Sequence, residues 1–152
     1  LDEAKIVLIT DAAGLDKTEV KRGLETMDAH NGEIWGKLDA GTAEYYQQVN
    51  RSNVKFERIL NNLLETSRTR PIIIQSLFLK VHGEAMSAAE LEAYCGRLRD
   101  LTAAGGQISE GHLYTVARPT PEAFATKLEV PELETMASAV RGQTGLKGSI
   151  FP

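Results

Sequence analysis

Glu33-Ile-Trp-Gly-Lys-Leu-Asp-Ala-Gly41 is the stretch that decides the fold. With a period of two, Ile34, Gly36 and Leu38 point one way and Trp35, Lys37 and Asp39 the other. The body of the strand is apolar and its carboxyl end carries an ammonium beside a carboxylate. In parallel sheets the carboxyl ends of the strands are where ligand sites form.

The same plan recurs on both sides. Upstream, Lys5-Ile-Val-Leu-Ile-Thr10 is short, apolar and β-branched, which predicts a strand buried on both faces. A turn at Asp11-Ala-Ala-Gly14 leads to a helix with Asp16 as N-cap and Glu19 at capping-box spacing. Val20, Leu24 and Met27 form its stripe, and His30-Asn31-Gly32 stops it. Downstream, Thr42 caps a short helix, and a longer one runs from about Val54 to Thr69. Pro71 then opens the apolar run Ile72-Ile-Ile-Gln-Ser-Leu-Phe-Leu79, predicted as one strand. A loop from Val81 to Met86 precedes a helix capped by Ser87, with Glu90 completing a capping box. A fourth strand lies within Gln107 to Val116. Two helical stretches are expected after Pro121, the second from about Pro131 to Arg141, then a short strand at Gly148-Ser-Ile-Phe-Pro152.

Strand and helix alternate four times, so the fold class is α/β. Consecutive βα units form a parallel sheet in a single domain over residues 1–152. Four units make half of a (β/α) barrel, a partial TIM-type barrel, or most of a doubly wound sheet.

Composition removes several functions. A net charge of -4 gives no global basic field for nucleic acid. The single cysteine, Cys95, cannot make an internal disulfide or a metal site alone, and it falls on a helix's apolar stripe. No apolar run has the length of a membrane span, and the expected localisation is cytoplasmic, with no signal peptide. The start, Leu1-Asp-Glu-Ala just ahead of an apolar strand, reads as an excised piece.

The polar residues at strand ends carry the functional signal. They are Thr10 and Asp11, Lys37 and Asp39, Gln75 and Ser76, and Tyr114, Thr115 and Arg118. Lys37 and Asp39 share a face, and a buried pair of this kind is costly unless a ligand or further hydrogen bonds complete it. The pair is a ligand site or a structural ion pair; Gly36 and Gly41 favour the first, because they suggest close backbone approach. Gln75 is equally readable as a site residue or a buried amide. Arg118 is an anion clamp or a solvated loop residue. Trp35, His30, His82 and His112 read as packing or surface residues.

Four motifs occur in order: Leu8-Ile-Thr-Asp11, Trp35-Gly-Lys-Leu-Asp-Ala-Gly-Thr42, Ile74-Gln-Ser-Leu-Phe78 and Leu113-Tyr-Thr-Val-Ala-Arg-Pro119. Together they resemble the second half of a radical S-adenosylmethionine enzyme, in the branch of iron–sulfur oxidoreductases similar to wyosine-type tRNA-modifying synthases. The resemblance covers essentially the whole chain. It implies a partial, usually six-stranded, parallel barrel in which this chain supplies about strands three to six. It further implies that the full-length protein uses S-adenosylmethionine and a [4Fe–4S] cluster. The Cys-x-x-x-Cys-x-x-Cys loop and the Gly-Glu-Pro segment of that family are not in this sequence, so no cofactor is expected on this chain alone, no metal site, and no catalysis. By resemblance, Thr10 and Asp11 lie near the amino-acid end of the cofactor. Lys37 meets its carboxylate and Asp39 its ribose, Gln75 lines the fifth-strand side, Tyr114 to Ala117 flank the adenine, and Arg118 lies near the mouth. The substrate, a small molecule or RNA, is not legible.

Two other readings stand beside this one. Lys37 suits a Schiff-base nucleophile of a barrel aldolase, although Asp39 two residues away tends to raise its pKa. A half-barrel with an unpaired strand edge also suits a noncatalytic interaction module that self-associates through that edge.

Overall fold

A computed structural model describes residues 3–152, so the first two residues of the opening segment lie outside the described residues. The apolar runs become strands and the amphipathic runs helices. In chain order they are β1 (Ile6–Thr10), α1 (Thr18–Ala29), β2 (Gly32–Lys37), α2 (Ala43–Asn50), α3 (Phe56–Thr69), β3 (Ile72–Leu77) and β4 (Leu79–Val81). These are followed by α4 (Ala88–Ala103), β5 (Ile108–Tyr114), β6 (Ala125–Lys127), α5 (Val130–Thr144) and β7 (Gly148–Phe151). Five strands pair in the order β1-β2-β3-β5-β7, every pair parallel. This is the expected α/β class, a parallel sheet with interleaved helices.

The helices lie against one face of the sheet. Ile34, Leu38, Ile72, Ile74 and Leu113 are buried under Leu63, Tyr94, Leu98, Leu133 and Val140. Some twenty side chains buried in this way supply most of the folding free energy, at roughly 1.5–3 kcal/mol for each large one. The other face is concave and carries the register rows Trp35–Ile73–Glu110 and Lys37–Gln75–His112–Ser149. Among the described residues, no helix is long and apolar enough to cross a membrane.

Five sequence expectations are corrected. β1 is not buried on both faces: it is the edge of the sheet, and Ile6 and Ile9 are 44% and 55% exposed. Asp16 does not cap α1. Arg58 of α3 takes both its oxygens, at 2.9 and 3.0 Å, and the N-cap is Lys17, with no side-chain hydrogen bond. The run from Ile72 is broken at Phe78, because Leu79–Val81 leaves the sheet to pair antiparallel with Ala125–Lys127. That same pairing replaces the first helix expected after Pro121 with a strand. Finally, Ser87 does cap α4, but the Glu90 carboxylate does not close a capping box. It accepts from the Gly41 and Thr42 amides and the Thr42 hydroxyl, tying α4 to the start of α2.

Candidate functional site at the carboxyl ends of the strands

The β2 chain continues past Lys37 as an extended segment, and the Leu38 amide still donates to the Gln75 carbonyl. The side-chain alternation therefore persists, and Asp39 follows Lys37 on the concave side. Asp39 is 5% exposed. Its carboxylate accepts from the Leu77 amide (2.8 Å) and from the Asn50 side chain (2.9 Å). It thus ties the ends of β2 and β3 to the last residue of α2.

Lys37 Nζ stands 3.6 Å from Asp39 Oδ2 and 5.7 Å from the centre of the Tyr114 ring. Burial works against the ammonium, but Asp39 and Tyr114 outweigh it and hold the Lys37 pKa above that of an ordinary lysine. Asp39 and Lys37 line a cavity of about 230 Å³ with Asp11, Asn50, Tyr46 and Phe56. That volume is below the roughly 300–1,000 Å³ of a whole small-molecule site. It suits one polar end of a ligand.

Asp11 is presented by a fixed turn. Ala12 is fully buried with φ +66°, a conformation that a residue with a Cβ adopts only when its surroundings enforce it. Three hydrogen bonds enforce it. The Ala12 amide donates to Thr10 Oγ1 (3.1 Å), the Ala13 amide to Asp11 Oδ1 (3.0 Å), and the buried Asn62 side chain to the Ala12 carbonyl (2.8 Å). Thr10 therefore sets the turn, while Asp11 faces the cavity.

The structure brings together Asp11, Lys37 and Asp39, with Tyr114 beside Lys37 and Gln75 level with it in the register. It does not bring in Ala117 and Arg118. These line a separate cleft of about 310 Å³ with Thr120, Thr126 and Lys127, beside the small β4–β6 sheet. Ser76 and Thr115 face the helices instead. Ser76 Oγ donates to the Leu38 carbonyl and meets the Tyr94 hydroxyl, and Thr115 Oγ1 accepts from the Leu128 amide.

The two glycines of the opening stretch do mark close approach, but to helices. A Cβ at Gly36 would stand 2.5 Å from the Leu63 side chain, and one at Gly41 would stand 2.1 Å from the Tyr94 nitrogen. The Gly41 amide donates to Glu90 and its carbonyl accepts from Arg97.

Several concave-face residues had no distinguishing sequence signal. His112 sits edge-on between Trp35 (4.7 Å between ring centres) and Phe151 (5.0 Å), with Nε2 3.5 Å from Glu110. Trp35 Nε1 donates to Glu33 (2.7 Å), and Ser149 donates to Glu110. Parity places Trp35 on this face and Glu110 beside His112 on β5, but nothing local to His112 reveals its ring partners, which come from β2 and β7. Cys95 is buried within the helix layer.

A five-stranded parallel α/β sheet with a charged cavity at the carboxyl ends of its strands defines the structural class. Two solved structures share the fold. A radical SAM methyltransferase from Sphaerobacter thermophilus superposes with a TM-score of 0.68 at 14% identity, over 96% of this chain and 40% of that one. A domain of pyruvate-formate lyase-activating enzyme from Bacteroides vulgatus gives 0.66 at 17% identity, over 96% and 80%. The chain thus spans 40% of the methyltransferase's length, and at these identities the likeness is one of fold. No protein-family model matches the chain. No curated protein matches it in sequence.

Proposed function

We propose that this chain is the carboxyl-terminal part of the barrel of a radical S-adenosylmethionine enzyme and supplies contacts to the cofactor and the substrate. The observation that carries the reading is the convergence of Asp11, Lys37 and Asp39 on one small polar cavity at the strand ends. The amino-acid end of S-adenosylmethionine has the complementary charges. Its carboxylate pairs with the Lys37 ammonium, and its ammonium with Asp11. A ribose hydroxyl reaches Asp39 through lone pairs that Leu77 and Asn50 leave free. The order of the four motifs supports the wyosine-synthase-like branch, with a small-molecule or RNA substrate on the concave face.

The chain's residues do not fit an iron–sulfur cluster. That group takes several thiolates, and the one thiol here lies buried in the helix layer, where desolvation raises its pKa. The proposed contribution therefore ends at binding and orientation. The charged state of Lys37 also argues against the aldolase reading, which needs a neutral amine.

Titration of the labelled chain with S-adenosylmethionine, followed by amide NMR, tests the proposal. Weak binding is expected, with shifts centred on Asp11, Lys37 and Asp39, and Lys37→Met should weaken it about tenfold. Shifts confined to other surfaces, or none at millimolar ligand, would refute the assignment.

A further inference from the structure

The carboxyl end of β5 runs into a loop whose shape is fixed by its own hydrogen bonds. At Tyr114, whose ring lies beside Lys37, the chain leaves the sheet, and residues 115–128 form a closed excursion. Its neck is shut by the Leu128 amide, which donates to the buried Thr115 Oγ1 (2.8 Å). Its tip turns on Thr120, whose hydroxyl is shared between the Glu122 and Ala125 carbonyls (2.6 and 2.7 Å). Pro119 and Pro121 fix φ on either side of that threonine. The returning strand β6 pairs with β4, and the His82 amide donates to the Phe124 carbonyl (2.8 Å). Between the outgoing and returning limbs lies the cleft of about 310 Å³. Val116, Ala117, Pro119 and Ala125 give it apolar walls, and Arg118 and Lys127 bring one cation from each limb.

The two cations are uncommitted. Arg118 and Lys127 are exposed, and among the described residues neither has an ion pair or a side-chain hydrogen bond. The acids around them are taken. Glu122 pairs with Arg51 (3.1 Å), Glu132 with Lys80 (2.8 Å), and Glu129 and Glu132 close the capping box of α5. We propose that this cleft holds the phosphate group of a small phosphate-monoester substrate. Charge selects phosphate, because its dianion matches both cations and a carboxylate matches one. Arg118 offers a planar fork to two of its oxygens, and Lys127 a point charge to the third. The apolar walls suit the carbon chain that carries the ester. A nucleic-acid strand needs a basic track along its backbone, whereas here acids alternate with the cations, at Glu122 and Glu129. The cleft opens at the strand ends, past Tyr114 from the cavity of Lys37 and Asp39. The description of the ester as a substrate rests on the proposed function, but the binding of phosphate does not.

Amide NMR of the intact chain, titrated with inorganic phosphate and then with glycerol phosphate at constant ionic strength, tests it. The expected shifts saturate and centre on residues 116–127, with the ester bound more tightly than the bare ion. Arg118→Gln and Lys127→Gln should each weaken binding about tenfold, and Arg118→Lys should restore only part of the loss. Lys147→Gln, at the amino end of β7, should change nothing. Acetate at equal concentration should displace the ester poorly. All three positions are exposed, and circular dichroism verifies that each variant is folded. No saturable shift at high millimolar phosphate overturns the proposal. So does binding that survives both glutamine substitutions, shifts centred on Lys37, or acetate that competes as well as phosphate. A short single-stranded RNA without a terminal phosphate that binds the cleft more tightly than the ester also overturns it. S-adenosylmethionine is read at Asp11, Lys37 and Asp39, and phosphate at Arg118 and Lys127, so the two proposals fail separately.

Discussion

Lys37 and Asp39 show how much a single pair can fix. The strand period puts them side by side, and the structure adds what they are bonded to. Asp39 is held by the Leu77 amide and the Asn50 side chain, and it holds Lys37 in turn. The folded pKa of Lys37 is raised, with burial opposing the shift and Asp39 and Tyr114 outweighing it. A raised lysine pKa means that the folded state binds the proton more tightly. The stability it contributes is therefore complete below the unfolded lysine pKa, about 10.4, and is lost as pH rises through the folded value. Lys37→Met should flatten the alkaline limb of the stability–pH curve. Urea melts between neutral and strongly alkaline pH measure this, and an unaltered alkaline limb would remove Lys37 from the account. The pair was readable from sequence because both members lie on one strand. The surroundings of His112 were not: Glu110 shares its strand, but the rings of Trp35 and Phe151 that flank it are brought by β2 and β7.

At the scale of elements, strand existence and order were legible because parallel buried strands are continuous apolar runs and their helices carry clear stripes. What failed depended on partners far along the chain. Leu79 leaves β3 because Lys127 pairs with it, and residues after Pro121 extend because Leu79–Val81 needs a neighbour. Glu90 has capping-box spacing, yet serves the start of α2 instead of its own helix. The junction of β2 with α4 shows the tightest packing of this kind. A Cβ on Gly41 meets the backbone of Ala93 and Tyr94, which has no rotamer to yield, whereas one on Gly36 meets only the flexible end of Leu63. Gly41→Ala is therefore expected to cost about 3 kcal/mol and Gly36→Ala about 1 kcal/mol, within the range for overpacked sites. Chemical denaturation gives both values. Equal costs would show that α4 moves as easily as a leucine side chain.

For the whole molecule, the sheet order sets a gradient of stability. β3 is central, paired by β2 on one side and β5 on the other, and its residues Ile72, Ile73 and Ile74 are buried on both faces. Among the described residues, β1 has a partner strand on one side only and exposes Val7 and Ile9. The β4–β6 pair is a three-residue ladder apart from the main sheet. Local opening exposes the least apolar surface where burial is least, so opening free energies rise from these margins to the centre. Amide hydrogen exchange on the dilute chain should find the slowest amides in β3 and β5, at the limit of global unfolding. The amides of β4 and β6 should exchange well before them. Along β1 the pattern should alternate: Ile6 and Leu8 protected by β2, Val7 and Ile9 unprotected, because one neighbour satisfies only every second residue of a parallel strand. Uniform protection along β1 under dilute conditions would mean that its outer side is covered within a single chain. The barrel would then close on this side, and the cavity between Asp11 and Lys37 would be deeper than an open half-barrel allows.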